Sequence, residues 1–69
     1  KNAQKLLLFM FSRPIVNIKT VEQNLNISNN NANRLIKSLQ DLNILQEKTG
    51  YSRNRLYYLK SYLDLFKGQ

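Results

Sequence analysis

Cysteine and histidine are both absent from this chain. Their absence excludes a disulfide, a thiolate nucleophile, a Cys/His zinc cluster and an imidazole general base. Acidic residues are scarce. The four present, Glu22, Asp41, Glu47 and Asp64, are scattered along the chain rather than paired as general acid–base work requires. With only Gly50 and Gly68, the chain has no glycine-rich loop that could cradle a phosphate. Long apolar runs are also missing. The longest, from Leu6 to Phe11, falls far below the roughly 20 residues of a membrane-spanning helix and is short for the core of a signal peptide. These absences set the expectation of no catalytic residue, no cofactor, no metal and no membrane partner. A cytoplasmic location is the default where no cysteines mark an oxidising compartment.

What is present is basic charge. Eleven Lys and Arg against four acids give a net charge of +7 over 69 residues, and such a field favours polyanionic partners, nucleic acid first among them. A membrane surface is a poorer match, because the basic residues are not gathered on one long amphipathic helix. Plain solubility is the alternative use of the charge. The length allows a single small domain, burying only about 60% of the surface of its unfolded chain. The first residue is Lys1 rather than Met, which sets the expectation of a piece of a longer protein.

The chain is organised around Ser28 to Leu45, SNNNANRLIKSLQDLNIL. Ser28 is a good N-cap, its hydroxyl able to accept from one of the unpaired N–H groups that open a helix. Ala32, Leu35, Ile36, Leu39 and Leu42 then recur at helical spacing and predict one buried stripe. At about 100° per residue, Asn30, Arg34, Lys37 and Asp41 point directly away from it, with Asn33 on its shoulder. Amides and cations on an outer face can read a nucleic-acid groove, Asn pairing with adenine edges and Arg or Lys reaching guanine or phosphate. A merely solvated helix face is the plainer reading.

The segments on either side give this helix a context. Lys1 to Ser12 reads as a first helix, ended by Arg13-Pro14 because the residue before proline is pushed out of the helical region. Its LLLFMF run is apolar on every side, so Leu7, Leu8, Phe9 and Phe11 are expected to offer a face to another domain or a second copy. Ile15 to Ile18 suggests a small strand. Thr20 and Gln23 fit a capping box opening a short second helix over about Val21 to Leu25. A tight connection through Asn26-Ile27 then makes a helix-turn-helix with the long helix.

Asn43 is placed to close the long helix in the left-handed conformation. Ile44-Leu45 leads into one extended run and Arg55 to Leu59 forms a second, with a turn at Gly50, Tyr51 and Ser52. The resulting hairpin carries Lys48, Tyr51, Arg53, Asn54 and Arg55 at its tip. Basic hairpin tips also serve solubility and discourage edge pairing. Ser61 is available to cap a terminal helix to about Phe66, with Leu59, Tyr62, Leu63 and Phe66 on its apolar face and Gly68 ending it. The four tyrosines, Tyr51, Tyr57, Tyr58 and Tyr62, are read as core or rim residues rather than base-stacking platforms. The expected fold is mainly α with a small β-hairpin (α+β): a winged helix-turn-helix with a three-helix core, a wing and a short C-terminal helix.

Val21, Leu25, Asn26-Ile27-Ser28, Ala32, Leu39, Ile44-Leu45, Thr49-Gly50, Arg53-Asn54-Arg55, Tyr57 and Tyr62-Leu63 together resemble the C-terminal winged-helix domain of Fic-family proteins, over about Val16 to Phe66. Asn43 stands where such domains usually carry Gly before Ile-Leu, and Asn tolerates the same backbone conformation. The resemblance implies that residues 1–69 form one winged-helix domain, the C-terminal fragment of a longer protein. It also implies that this parent moves AMP from ATP onto a hydroxyl of a target protein. The signature for that chemistry, HPFxxGNGR, belongs to a separate upstream helical domain and none of it is in this chain, so the resemblance implies no transferase activity here.

Two functions are therefore expected. The first is a DNA-binding module acting through the helix over 29–42 and the basic wing over 48–55. Asn30, Asn33, Arg34 and Lys37 would contact bases, while Ser28, Lys48, Tyr51, Arg53, Asn54 and Arg55 would contact phosphates of double-stranded DNA. The second is an interaction or regulatory domain that packs on the Fic catalytic domain of the same chain or joins a second subunit, through Leu7, Leu8, Phe9 and Phe11.

Overall fold

The computed structural model of the chain describes residues 2–48, 50 and 55–67, leaving aside the side chains at 63, 66 and 67. The order of elements is α1 (Asn2–Ser12), β1 (Ile15–Val16), α2 (Ile18–Leu25), α3 (Asn29–Asp41), β2 (Leu45–Glu47), β3 (Tyr57–Leu59) and α4 (Lys60–Lys67). The architecture is mainly helical, with a small antiparallel sheet in the strand order β1-β3-β2.

Each helix boundary has a local cause. α1 stops before Pro14, which has no N–H to continue the ladder; Arg13 N–H and Ser12 Oγ both donate to the Phe9 carbonyl, each at 3.1 Å. α3 is capped at Ser28, whose Oγ accepts from Asn31 N–H at 3.2 Å. α2 begins earlier than the Thr20–Gln23 capping box predicts. Its cap is Asn17, in extended conformation, with Oδ1 accepting from Thr20 N–H at 2.8 Å. The earlier start has a packing reason: it adds Ile18 to Val21 and Leu25, so three apolar residues at helical spacing turn to the core. It also shortens the predicted strand to Ile15–Val16.

The two central helices end in the same way. Asn26 and Asn43 both adopt left-handed conformations, with φ of 54° and 65°. The following residue reaches back five positions in each case, Ile27 N–H to the Glu22 carbonyl at 3.1 Å and Ile44 N–H to the Leu39 carbonyl at 2.9 Å. This 6→1 bond reverses the chain and satisfies a terminal carbonyl, as in a Schellman closure. Both isoleucines then pack against the core.

That reversal corrects the apolar stripe drawn through Leu42. Ala32, Ile36 and Leu39 are buried and Leu35 is half-buried, but Leu42 is 68% exposed. The helix has ended at Asp41, and Ile44 rather than Leu42 continues into the core.

β3 forms the centre of the sheet. It pairs with β2 through Leu45↔Leu59 and Glu47↔Tyr57, and with β1 through Ile15↔Tyr58 and Val16↔Tyr57. The predicted hairpin therefore gains a third strand from the segment before α2. Strand alternation turns Val16, Leu45, Tyr57 and Leu59 inward. They meet Leu6 and Met10 of α1, Val21 of α2 and Ala32, Ile36 and Leu39 of α3 in one cluster. Tyr57 is a core residue, while Tyr58 and Tyr62 are half-buried. α4 leaves β3 directly at Lys60, whose N–H donates to the Ile44 carbonyl at 2.8 Å. Ser61 is thus inside the helix, not its cap, because the strand's own hydrogen bond sets the helix start.

No helix among the described residues is long and apolar enough to cross a membrane. Among the described residues, no group of three or more acids, His or Cys is placed to hold a metal ion.

Candidate nucleic-acid interface

α3 presents its polar face as helical geometry requires. Asn30, Arg34 and Lys37 are all exposed. Over seven residues at 1.5 Å per residue they span about 10 Å of the axis, comparable with the roughly 12 Å width of a DNA major groove. Lys37 has an acid one turn on, Asp41, at 3.8 Å, with both side chains largely in solvent. An exposed i,i+4 pair of this kind is weak, so it does not hold Lys37 away from a stronger anion.

Asn33 is placed differently from its three neighbours. Its amide nitrogen donates within the helix, to the Asn29 carbonyl at 2.9 Å and to Asn29 Oδ1 at 3.0 Å. Asn29 in turn donates through Nδ2 to Glu22 Oε2 on α2 at 2.8 Å. Asn33 therefore belongs to a side-chain relay, Asn33 to Asn29 to Glu22, that fixes the first turn of α3 to α2. To read an adenine edge bidentately, its amide nitrogen would first have to release one of these bonds. The relay was not legible in the sequence, because Glu22 and Asn29 are seven residues apart and belong to different helices.

Ser28 is exposed, but its hydroxyl already accepts the capping bond from Asn31, which leaves its O–H as the group able to reach a phosphate. Just after β2, Lys48 is exposed and its N–H donates to the Leu56 carbonyl at 3.4 Å. Gly50 has φ of 68° with open space around it, and its N–H donates to Glu47 Oε2 at 2.6 Å. A positive φ is what a turn asks of glycine. Tyr51, Arg53 and Asn54 lie outside the described residues, as do Thr49 and Ser52.

Arg55, just before β3, lies beside the opening of α2. It is exposed and lines a cleft of about 320 Å³ together with Asn17, Ile18, Lys19, Glu22 and Asn29. The cleft gathers two cations, Lys19 and Arg55, at the opening turn of α2, where the partial positive charge of the helix end adds to them. Lys19 was absent from the sequence-derived candidates. The signal available was a cation in a helix's first turn where acids are favoured, and it could be read only once the helix start was known to be Ile18.

The apolar candidates divide by position around α1. Leu7 and Phe9 are half-buried and pack against the core, whereas Leu8 and Phe11 are 66% and 73% exposed. No family model matches this chain, and comparison with curated proteins and with solved structures also returns no match.

Proposed function

We propose that this domain is a non-catalytic winged helix-turn-helix module that binds double-stranded DNA, with α3 in the major groove and the basic segment 48–55 along phosphates. The observation that carries the reading is the exposed run Asn30, Arg34 and Lys37 on a helix of 13 residues, anchored to α2 at its first turn. Bidentate Arg or Lys contacts to guanine and Asn contacts to adenine are the commonest direct readings of a major groove. A net charge of +7 supplies the long-range attraction. The element order supports the same reading, since two helices in tandem are followed by two antiparallel strands separated by a basic stretch of sequence. The residues resembling the Fic family make a Fic-type AMP-transferase the proposed parent, with its chemistry carried by residues outside this chain.

A fluorescent random-sequence duplex titrated at several salt concentrations tests the proposal. On a random-sequence duplex, where α3 has no preferred bases to read and Arg34 and Lys37 meet phosphates together with Lys48, Arg53 and Arg55, log affinity falls with log salt at a slope of about −4.5, using about −0.9 per contact. An Arg34→Ala/Lys37→Ala/Arg53→Ala variant is expected to flatten the slope to about −1.8. Absence of binding at the lowest salt, or an affinity that does not change with salt, would overturn the reading.

A further inference from the structure

One apolar feature is not used by nucleic-acid binding. The C-terminal end of α1 and the face of α4 enclose a groove of about 290 Å³, walled by Phe11 and Pro14 on one side and Tyr62 and Leu65 on the other. Met10, Leu59 and the small polar Ser61 also line it, and no charged side chain does so among the described residues. Phe11 and Leu65 are 73% and 68% exposed, and Leu8, one turn before Phe11 on α1, extends the same apolar surface.

We infer that this groove is the contact surface for a second copy of the chain, forming a two-fold dimer through α1 and α4. The face has both halves of a self-complementary contact, a projecting aromatic side chain beside a hollow that can receive one. An apolar cavity of about 150 Å³ is enough to hold benzene, so the groove has room for the partner's Phe11 ring. When knob and hollow share one patch, a two-fold axis satisfies both at once and closes the assembly at two copies.

Area supports the same occupant, and charge selects the face. Leu8, Phe11 and Leu65 together offer on the order of 350 Å² per copy, taking about 150–250 Å² for a whole aromatic side chain and somewhat less for leucine. A standard interface buries about 800 Å² per partner, a little over half of it apolar. The three side chains and the partly exposed groove walls supply that apolar portion. Two chains of net charge +7 repel, and contact is least opposed at the groove itself, where no cation is among the described lining residues. The dimer would leave Arg34 and Lys37 of both copies on a different element, α3. It does not depend on the DNA-binding reading.

The test is sedimentation velocity on the 69-residue chain without nucleic acid, from about 1 μM to about 1 mM, with three variants. The expected result is a weight-average mass rising from one chain toward two and stopping there. Phe11→Glu and, separately, Leu65→Glu weaken association by at least about tenfold while retaining the helical circular dichroism of the parent. Leu42→Glu, which changes an equally exposed leucine away from the groove, leaves association intact. A wild-type chain that stays monomeric throughout overturns the inference. So does a mass that climbs past two chains, or a loss in Leu42→Glu equal to that in Phe11→Glu.

Discussion

The Asn29 side-chain amide donates to Glu22 Oε2 at 2.8 Å, tying the first turn of α3 to the middle of α2. A carboxylate acceptor makes this bond stronger than one between neutral groups, although its exposed setting reduces its contribution. It also places a negative charge beside the face proposed to meet DNA. Glu22→Gln therefore has two expected effects of opposite sign. Stability in urea falls by about 0.5–1 kcal/mol, while affinity for a duplex at low salt increases because a repelling charge has been removed. A variant that loses stability and also loses duplex affinity would count against a DNA-facing α3.

The left-handed residues closing α2 and α3 give a second test. An L-residue in this conformation is strained by roughly 1–2 kcal/mol, less for Asn, whereas glycine adopts it freely. Asn43→Gly is expected to stabilise the domain by about 0.5 kcal/mol and Asn43→Ala to destabilise it by about 1 kcal/mol. In a domain of this size, 1 kcal/mol shifts the melting temperature by roughly 4–8 °C, so thermal unfolding resolves both signs.

Leu39 and Leu42 belong to the same apolar stripe in the sequence and to opposite environments in the fold. Leu39 is 3% exposed and sits in the central cluster, while Leu42 lies beyond the helix end in solvent. Leu39→Ala is expected to cost about 2–5 kcal/mol through the cavity it leaves. Leu42→Ala is expected to stay within about 0.5 kcal/mol. Equal losses in chemical denaturation would mean that α3 continues past Asp41.

The start of α2 is decided by Asn17 rather than Thr20. Asn17→Ala removes the side-chain acceptor for Thr20 N–H and is expected to cost about 1 kcal/mol. Thr20→Ala keeps that backbone bond and is expected to change stability by only a few tenths of a kcal/mol. The reverse order in urea unfolding would restore the capping box at Thr20.

Arg55 shows where sequence reading reached its limit. Its basic character was legible, and so was its place in a hairpin, but its position beside Lys19, Glu22 and Asn29 required the fold, because β3 carries it across to the opening of α2. The same holds for the pairing of Ile15–Val16 with β3, which joins residues some forty positions apart.

The features that the chain determined by itself are those whose physics acts within one helical turn. Ser28 accepts from a backbone N–H three residues on, Pro14 offers no N–H with which α1 could continue, and Asn43 tolerates the left-handed backbone where α3 closes. The periodicity that separates Ala32, Ile36 and Leu39 from Asn30, Arg34 and Lys37 is equally local. Only the tertiary structure decided which apolar residues remain in solvent, which cap opens α2, and which polar side chains meet across elements. Leu8 and Met10 have the same apolar character, but only Met10 lies on the side of α1 that faces the core. Burial depends on where other elements sit, and that is settled by packing the whole chain at once rather than by any single stretch of it.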